Sequence, residues 1–181
     1  MATITWNATV DDLYKVDSKA ELVDGELLIM PAGGRWHGTA SKNILISLDA
    51  HVRRLGVGMA LGDNVGFLCD LPNRRSFSPD CAYYTGPDSG VDFLPRAPVF
   101  AVEVRSKEDY GSGADRRIAR KRADYFTAGT QVVWDVDIDA NEIRVYRATN
   151  PEKPTVYGSG TLAEAEPAVP GWTFAVDELL A

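Results

Sequence analysis

Two short apolar segments of the chain each carry one acidic residue. The segments "SPDCAYY" at 78–84 and "VFAVEVRS" at 99–106 are typical of buried strands, with Asp80 in the first and Glu103 in the second. Because side chains alternate between the two faces of a strand, both carboxylates converge on one side of a sheet if these strands are neighbours. An unpaired buried carboxylate costs several kcal/mol, so a compensating cation is expected beside the pair.

Two kinds of cation would meet that need. Two carboxylates, a backbone carbonyl and water molecules suit a hard divalent ion such as Mg²⁺. A packed lysine or arginine would serve as well, and acidic residues at strand ends are more often such structural ion-pair partners than catalytic groups. The acidic pair alone therefore does not decide between a catalytic and a structural interpretation.

A basic helix predicted over about 114–128 supplies a candidate cation. At about 100° per residue, Lys121 falls at the margin of the inward side, beside Tyr125 four residues on. Its stem could run over the sheet and bring the ammonium group toward Asp80 and Glu103. Without the acidic pair, Lys121 would be interpreted as a solvated lysine. The residues predicted to span the inward side are Ile118, Ala119, Arg122, Ala123, Tyr125 and Phe126.

The elements around these residues follow from apolar patterning and turn signals. Thr9 and Asp12 resemble a helix N-cap, and Asp24-Gly25 predicts a tight hairpin turn within "ELVDGELLIM" at 21–30. A long helix is expected over about 37–55, ended by glycine. Two strands, about 58–69 and 77–84, are expected to follow it.

The second half of the chain continues the alternation. "PVFAVEVR" at 98–105 is apolar along nearly its whole length, which favours a central strand covered on both faces. After the basic helix, "QVVWDVDI" and "NEIRVYRA" predict two strands around a turn at 139–141, and the tail is expected to close with a short helical turn. This order indicates an α/β or α+β fold with a mixed sheet.

The composition fits one globular domain over 1–181. The 181 residues are 45% apolar, enough for a substantial core, which we place at about 20–150 with a closing segment at 151–181. The chain shows neither a long apolar run nor a secretory signal pattern, so we expect no membrane span and a cytoplasmic location. Cys69 and Cys81 are expected to be free thiols.

The net charge limits the ways in which this chain could bind nucleic acid. At −7, it is a poor candidate for a protein that coats nucleic acid electrostatically. The basic residues are clustered, since "RRIARKR" at 116–122 holds five of the 19 lysines and arginines and "NRR" at 73–75 adds two more. A local basic patch is therefore expected.

Several of these segments, taken in order, resemble one protein family. They are "SPD" at 78–80, "VEVRS" at 102–106, Lys121 with Tyr125, "AGT" at 128–130 and "VWDVD" at 133–137, together with "ELVDGELLIMP" at 21–31, His37 and "PGWTFAVDELL" at 170–180. This combination resembles the Uma-two family of restriction-endonuclease-like proteins, a branch of the PD-(D/E)XK nuclease superfamily. The resemblance covers about 20–181.

The resemblance implies a restriction-endonuclease-like core, a central mixed β-sheet flanked by helices and preceded by the hairpin. It also implies hydrolysis of phosphodiester bonds that depends on Mg²⁺ or Mn²⁺. Asp80 and Glu103 match the acidic positions of the family, and Lys121 matches a lysine carried by the following helix. The simplest form of the superfamily has lysine two residues after the second acid, where this chain has Arg105.

Of the four accessory residues, three have two interpretations each. Arg105 could hold the scissile phosphate, or pair with Asp80 or Glu103 and close the site, but its pKa above about 12 excludes it as a base. Glu26 is either an outer acid of the site or a solvated hairpin residue. His37 faces inward, toward phosphate or water or as a hydrogen-bonded core residue. Tyr125 lies one turn beyond Lys121. Glu21 and Asp24 are assigned structural roles.

The leading hypothesis is an endonuclease acting on DNA, working as a homodimer. In it, Asp80, Glu103 and the Val104 carbonyl hold one or two Mg²⁺ or Mn²⁺ ions. A second hypothesis is a catalytically inactive nuclease fold that acts as a binding or regulatory partner, which Arg105 favours. A third is an acid/base hydrolase without metal, which leaves Lys121 without a role and lacks an aromatic sugar groove.

Overall fold

A computed structural model describes residues 2–3 and 7–181 of the chain. The helices are α1 (Val10–Leu13), α2 (Arg35–Leu55) and α3 (Ser112–Thr127), with a closing 3₁₀ turn at Val176–Glu178. The strands of the first half are β1 (Ala2–Thr3), β2 (Ala20–Val23), β3 (Glu26–Ile29), β4 (Met59–Leu61), β5 (Phe67–Leu71), β6 (Arg74–Phe77) and β7 (Cys81–Tyr84). Those of the second half are β8 (Phe100–Val104), β9 (Val132–Asp137), β10 (Glu142–Arg147), β11 (Asn150–Tyr157), β12 (Leu162–Glu164) and β13 (Thr173–Ala175).

A six-stranded mixed sheet forms the centre of the fold. Its order is β11-β10-β9-β8-β7-β4, with β8 and β9 parallel and the other neighbours antiparallel. Helix α3 connects the two parallel strands, since a parallel connection needs a crossover. The prediction of a central mixed sheet with β8 in its interior is confirmed.

The two faces of this sheet bury different partners. One face, including Val102 and Trp134, packs with Ile44 of α2 and with Trp172 of the C-terminal segment, whose ring stacks 4.9 Å from that of Trp134. The other face, including Ala101, packs with side chains of α3 and of a second sheet. Asp80 and Glu103 belong to this second face, as the alternation along β7 and β8 predicts.

The second sheet contains the β2–β3 hairpin and lies against the central sheet. Its order is β1-β3-β2-β6-β5. The β2–β3 turn has Asp24 at φ 51° and Gly25 at φ 75°, the two positive values of a type I′ turn, which confirms the hairpin. The capping box of Thr9 and Asp12 at α1 is also present.

Two expected strands divide between the sheets. The strand expected over 58–69 is β4 of the central sheet and β5 of the second sheet, and the strand expected over 77–84 is likewise β6 and β7. The chain changes sheet at the turn-forming residues near Asn64, with φ 62°, and again at Ser78–Asp80. Polar and turn-forming residues, at 62–64 and 78–80, mark both changes, but they do not indicate which sheet each part joins.

The inward face of α3 differs from the predicted one. Ala114 and Tyr125 are buried, with Ile118 and Lys121 between them, whereas Ala119 and Ala123 are exposed. Lys121 therefore lies near the middle of the inward face and not at its margin. Of the predicted inward residues, Ile118, Arg122, Tyr125 and Phe126 are buried or half-buried, so the prediction was wrong for Ala119 and Ala123. Lys121 was placed at the margin because apolar periodicity does not recognise its charged partners.

The C-terminal quarter completes the central sheet. β11 was not predicted from the sequence; it is an edge strand, which is a position that tolerates its Pro151 and Pro154. The expected closing turn is the 3₁₀ turn at Val176–Glu178. Within the described residues, no helix combines the length and the apolar character that crossing a membrane requires.

Candidate active site

Asp80 and Glu103 lie opposite each other on neighbouring strands. Cys81 pairs with Val102, and the Asp80 N–H donates to the Val102 carbonyl at 3.0 Å, so the β7–β8 register brings Asp80 to the level of Glu103. The Val104 N–H donates to Asp80 Oδ2 at 2.7 Å. The predicted convergence of the two acids is therefore present in the structure.

Glu103 is held by two side chains of α3. Lys121 Nζ lies 2.7 Å from Glu103 Oε1, and the Tyr125 hydroxyl donates to the same oxygen at 2.7 Å. The Tyr125 ring is itself fixed by stacking on Phe77, with ring centroids 4.0 Å apart. The predicted approach of Lys121 to the acidic pair is thus made through Glu103.

Asp80 is held by groups from two other elements. Lys19, the residue before β2, places its Nζ 2.6 Å from Asp80 Oδ1, and His37 of α2 places its Nε2 3.3 Å from Asp80 Oδ2. Gly33 makes room for this imidazole, because a Cβ at Gly33 would lie 2.6 Å from His37 Nδ1. His37 is therefore a neighbour of the candidate site and not a residue of the apolar core.

Each lysine also bridges to a further carboxylate. Lys121 Nζ lies 2.8 Å from Glu21 Oε1, and Lys19 Nζ lies 2.6 Å from Asp63 Oδ1. The site therefore contains two carboxylate–lysine–carboxylate bridges. The one through Lys121 is closed in by buried groups, whereas the one through Lys19 reaches Asp63, whose side chain is 49% exposed.

A buried arginine supports the Lys121 bridge from behind. Arg74 donates to Glu21 and, through Nε at 2.9 Å, to Asp124 Oδ2 of α3. Glu21 also accepts the Ser78 N–H at 2.9 Å, so it ties β2 to the segment that leads to Asp80. Glu21, assigned a structural role from the sequence, is both structural and adjacent to the site.

Arg105 does not touch either candidate ligand. Its guanidinium binds Asp135 of β9 through two hydrogen bonds, of 2.7 and 2.8 Å, and Asp115 of α3 at 3.0 Å. The hypothesis that Arg105 pairs with Asp80 or Glu103 and closes the site is therefore wrong. Binding of the scissile phosphate by Arg105 is also disfavoured, since its guanidinium already binds two carboxylates.

Glu26 lies on the hairpin arm opposite Val23. The hydrogen bonds and ion pairs of Asp80 and Glu103 with the described residues do not include it. The acid that reaches the site from this hairpin is Glu21, which precedes the turn, and not Glu26, which follows it.

Sequence reasoning missed Lys19 and Asp63 and gave Arg74 only as part of a basic patch. A signal existed for Lys19, because it precedes Glu21 by two residues and side chains two apart on a strand share a face. Asp63 lies in an irregular loop between β4 and β5, where no periodicity indicates its direction. Arg74 lies in β6, which was not separated from β7 at the level of sequence, so the inward direction of its side chain was not recognised.

The electrostatics of the two acids differ. Burial would raise the pKa of Asp80, but the His37 hydrogen bond and the Lys19 ammonium hold it well below its ordinary value. Burial dominates at Glu103, and its pKa is raised despite Lys121, with Asp80 and Glu21 adding to the effect. For Glu21, Lys121 and Arg74 outweigh burial and lower the pKa to about 2.

The pKa values of Lys121 and His37 are both raised, which favours their charged forms. Burial would lower the pKa of Lys121, but Glu103 and Glu21 raise it above its ordinary value. The hydrogen bond with Asp80 raises the pKa of His37 above 6.5. The carboxylates thus favour the charged forms of both Lys121 and His37.

The donor chemistry of the site suits a divalent cation. Carboxylate oxygens are the preferred ligands of Mg²⁺ and Mn²⁺. The cluster around the two acids holds four carboxylates against three lysine and arginine cations, and a protonated His37 beside Asp80 would balance the fourth carboxylate. Its carboxylates belong to Glu21, Asp80, Glu103 and Asp124, and its cations to Lys19, Arg74 and Lys121. Within the described residues, no three or more His, Cys, Asp and Glu side chains are grouped as a metal centre, so a metal here would rely on two carboxylates with other oxygen ligands.

The two basic segments divide between inward and exposed positions. Arg74 and Lys121 are turned into the buried cluster. Arg120 pairs with Asp24 at 2.9 Å, Arg75 lies 3.4 Å from Asp70, and the Arg122 guanidinium stacks 3.5 Å from the Tyr146 ring. Two of the seven basic side chains are thus engaged inside the protein, whereas Arg75 and Arg120 are exposed although each has a carboxylate partner.

Comparisons with known proteins agree with this architecture. A crystal structure from Anabaena variabilis ATCC 29413, described as "a putative nuclease belonging to DUF820", matches with a TM-score of 0.75 at 17% identity, covering 95% of this chain and 97% of that one. At such identity the match shows a shared fold. No curated protein matches the chain. The Uma2 family model, described as "Putative restriction endonuclease", matches residues 8–177. The chain therefore belongs to the Uma2 family.

Proposed function

We propose that this protein is a metal-dependent endonuclease that hydrolyses phosphodiester bonds in DNA. Asp80, Glu103 and the Val104 carbonyl would hold Mg²⁺ or Mn²⁺, and Lys121 would act on the reacting phosphate. The family description supports a nuclease-like function. The observation that carries the proposal is the facing pair Asp80 and Glu103, with Lys121 2.7 Å from Glu103.

The residues of the chain divide the work as follows. A bound divalent ion would polarise a phosphate oxygen and lower the pKa of a bound water. Lys121, which stays protonated, would stabilise negative charge developing on the phosphate or orient the attacking water, but would not serve as a base. Tyr125 and Val104 hold the two carboxylates in place through their hydrogen bonds.

The noncatalytic hypothesis has one observation in its favour. Both candidate ligands already have a lysine within 2.7 Å, so the cluster is partly neutralised without a metal. A binding or regulatory protein that kept this fold would show the same ion pairs. The two hypotheses differ in whether the acids bind a divalent cation and whether DNA is cut.

Three further features stay predictions. We propose a homodimer, because two copies of such a site are needed to cut two strands in one encounter. We also propose a cytoplasmic location and a single domain over 1–181, with its core at about 20–150 and its closing segment at 151–181.

The proposed activity is tested by following the nicking of supercoiled plasmid in MgCl₂, MnCl₂ and EDTA. We expect metal-dependent nicking that falls by about 10²-fold or more in Glu103→Gln and in Lys121→Met, since each loses a charge beside the reacting phosphate. Glu108→Gln and Lys107→Met are matched controls, because both residues are exposed on the loop after β8. Nicking that survives in both site variants, or that persists in EDTA, would contradict the proposal.

A further inference from the structure

Among the described residues, Lys19 is the sole donor facing Asp80 Oδ1, whereas Asp80 Oδ2 has two neighbouring donors. Asp80 Oδ2 accepts the Val104 N–H at 2.7 Å and lies 3.3 Å from His37 Nε2, whereas Oδ1 faces Lys19 Nζ at 2.6 Å. An oxygen that binds a metal must point a lone pair at it. Asp80 Oδ1 is thus the oxygen available to a cation, and the Lys19 ammonium already occupies that position.

An ammonium and a divalent ion cannot share that position. Both are cations, and their repulsion at contact distance inside a protein is strong. The Lys19 side chain is only 16% exposed, so it is not a fluctuating surface lysine that simply moves away. A metal that binds Asp80 through Oδ1 must therefore displace this ammonium.

Asp63 can bind the Lys19 ammonium once it is displaced from Asp80. Its Oδ1 lies 2.6 Å from the same Nζ, on the loop between β4 and β5 and on the open side of the site. Lys19 can release Asp80 and keep Asp63 with a small rotation of its flexible stem. In the Lys121 bridge, the corresponding acid is Glu21, which is buried and bound by Arg74. Among the described residues, Lys121 therefore has no exposed carboxylate to which it could move.

We propose that Lys19 is a resident cation of the active site, which a divalent metal must displace from Asp80 and which Asp63 then retains at the rim. This inference rests on the proposed function, since it assumes that Asp80 is a metal ligand. It makes Lys19 a competitor of the metal, and it makes Asp63 the residue that favours exchange. An ion pair that merely stabilised the fold would have neither property.

The two residues should act on metal affinity in opposite directions. Lys19→Met removes the competitor and should tighten Mn²⁺ binding by about tenfold or more, as the loss of a nearby like charge implies. Lys19→Arg keeps a cation and should not tighten binding. Asp63→Asn removes the alternative partner, holds Lys19 on Asp80 and should weaken binding severalfold.

The test is isothermal calorimetry with MnCl₂ on the full chain, with Lys15→Met as the control. Lys15 makes an exposed pair with Asp12, its side chain being 73% exposed. Asp63→Asn is also made in the Lys19→Met background, where it should have no effect if Asp63 acts through Lys19. Thermal denaturation gives a second readout, since Lys19→Met should lower the melting temperature without metal and gain more than wild type when Mn²⁺ is added.

The possible results separate two failures. Tighter binding in Lys19→Met than in wild type and Lys19→Arg supports the inference, including the case in which only Lys19→Met binds. Equal affinity in wild type and Lys19→Met overturns the inference and leaves the metal site intact. Absence of Mn²⁺ binding in every variant overturns both the inference and the proposed metal dependence.

Discussion

Each carboxylate of the candidate site is adjusted by a different neighbour. Asp80 is kept ionised by Lys19 and His37, whereas the pKa of Glu103 is raised by burial. A metal ligand must be deprotonated, so Glu103 is the acid whose protonation opposes metal binding as the pH falls. Its cost as a buried carboxylate is offset by Lys121 and would be offset further by a divalent ion.

His37 gives the metal-free protein a pH-dependent contribution to stability. Its pKa is raised above 6.5 in the folded state, chiefly by the hydrogen bond with Asp80. The folded state therefore binds the proton more tightly, so the contribution is complete below about pH 6.5 and is lost as the pH rises through the folded-state pKa. We expect His37→Gln to lose more free energy of unfolding at about pH 5.5 than at about pH 8.5.

Urea denaturation in EDTA at the two pH values measures this difference. The matched control is His37→Gln in an Asp80→Asn background, where the partner that raises the pKa has lost its charge. There the pH dependence of the difference should shrink. A loss that is equal at both pH values in the Asp80 protein would show that the imidazole is not paired with that carboxylate.

At the residue scale, the sequence reveals the anomalous side chains better than the ordinary ones. Asp80 and Glu103 stand out because an acid in an apolar strand is costly. Lys19 does not stand out, since lysine before a strand is common and its partners lie 44 and 61 residues further along the chain. Its spacing to Glu21 indicates which way it faces, but its partners depend on tertiary contacts.

Among the secondary-structure elements, α3 is the one whose position decides the site. It carries Lys121 and Tyr125, and its first turn is held to β9 by Arg105, which bridges Asp115 and Asp135. The same helix is held to β6 near its other end by the Arg74–Asp124 pair. Two arginines thus fix the helix across the sheet, and the placement of Lys121 on Glu103 follows from both.

We expect Arg105→Met to lower the free energy of unfolding by about 3–5 kcal/mol, because it leaves the buried Asp135 without its partner. Arg117→Met serves as the control, since Arg117 makes an exposed 3.7 Å contact with Asp109 and an exposed 3.4 Å hydrogen bond to the Glu108 carbonyl. Its loss should change stability by less than about 1 kcal/mol. Urea denaturation measures both. An Arg105→Met protein with unchanged stability and weakened DNA binding would instead place the guanidinium on phosphate.

The elements were predictable where local signals are strong. The Asp24-Gly25 hairpin, α2 and β8 follow from turn chemistry and periodicity. The division of 58–84 between two sheets did not follow, because the turn-forming residues at 62–64 and 78–80 mark a break without indicating which sheet each part joins. On α3, Ala119, Ala123 and the position of Lys121 were misassigned, since part of the inward face meets charged groups that sequence periodicity treats as solvent-facing.

On the scale of the whole molecule, charge is the main constraint on function. The chain carries a net charge of −7. In the basic segments expected to contact DNA, several side chains already pair with carboxylates of the same chain. Counterion release would then contribute little to DNA affinity. Binding would rest on the metal and on the few cations at the site, so a bound divalent ion is central to the proposed function.

Calorimetric titration of Mn²⁺ into wild type and into Asp80→Ala/Glu103→Ala, each with and without DNA, examines that point. We predict that wild type binds Mn²⁺ and that the double variant does not, which would place the ion between the two acids. No binding by wild type, even when DNA is present to complete the coordination sphere, would contradict the metal-dependent nuclease. Asp80 and Glu103 would then be ion-pair partners of Lys19 and Lys121 in a noncatalytic scaffold.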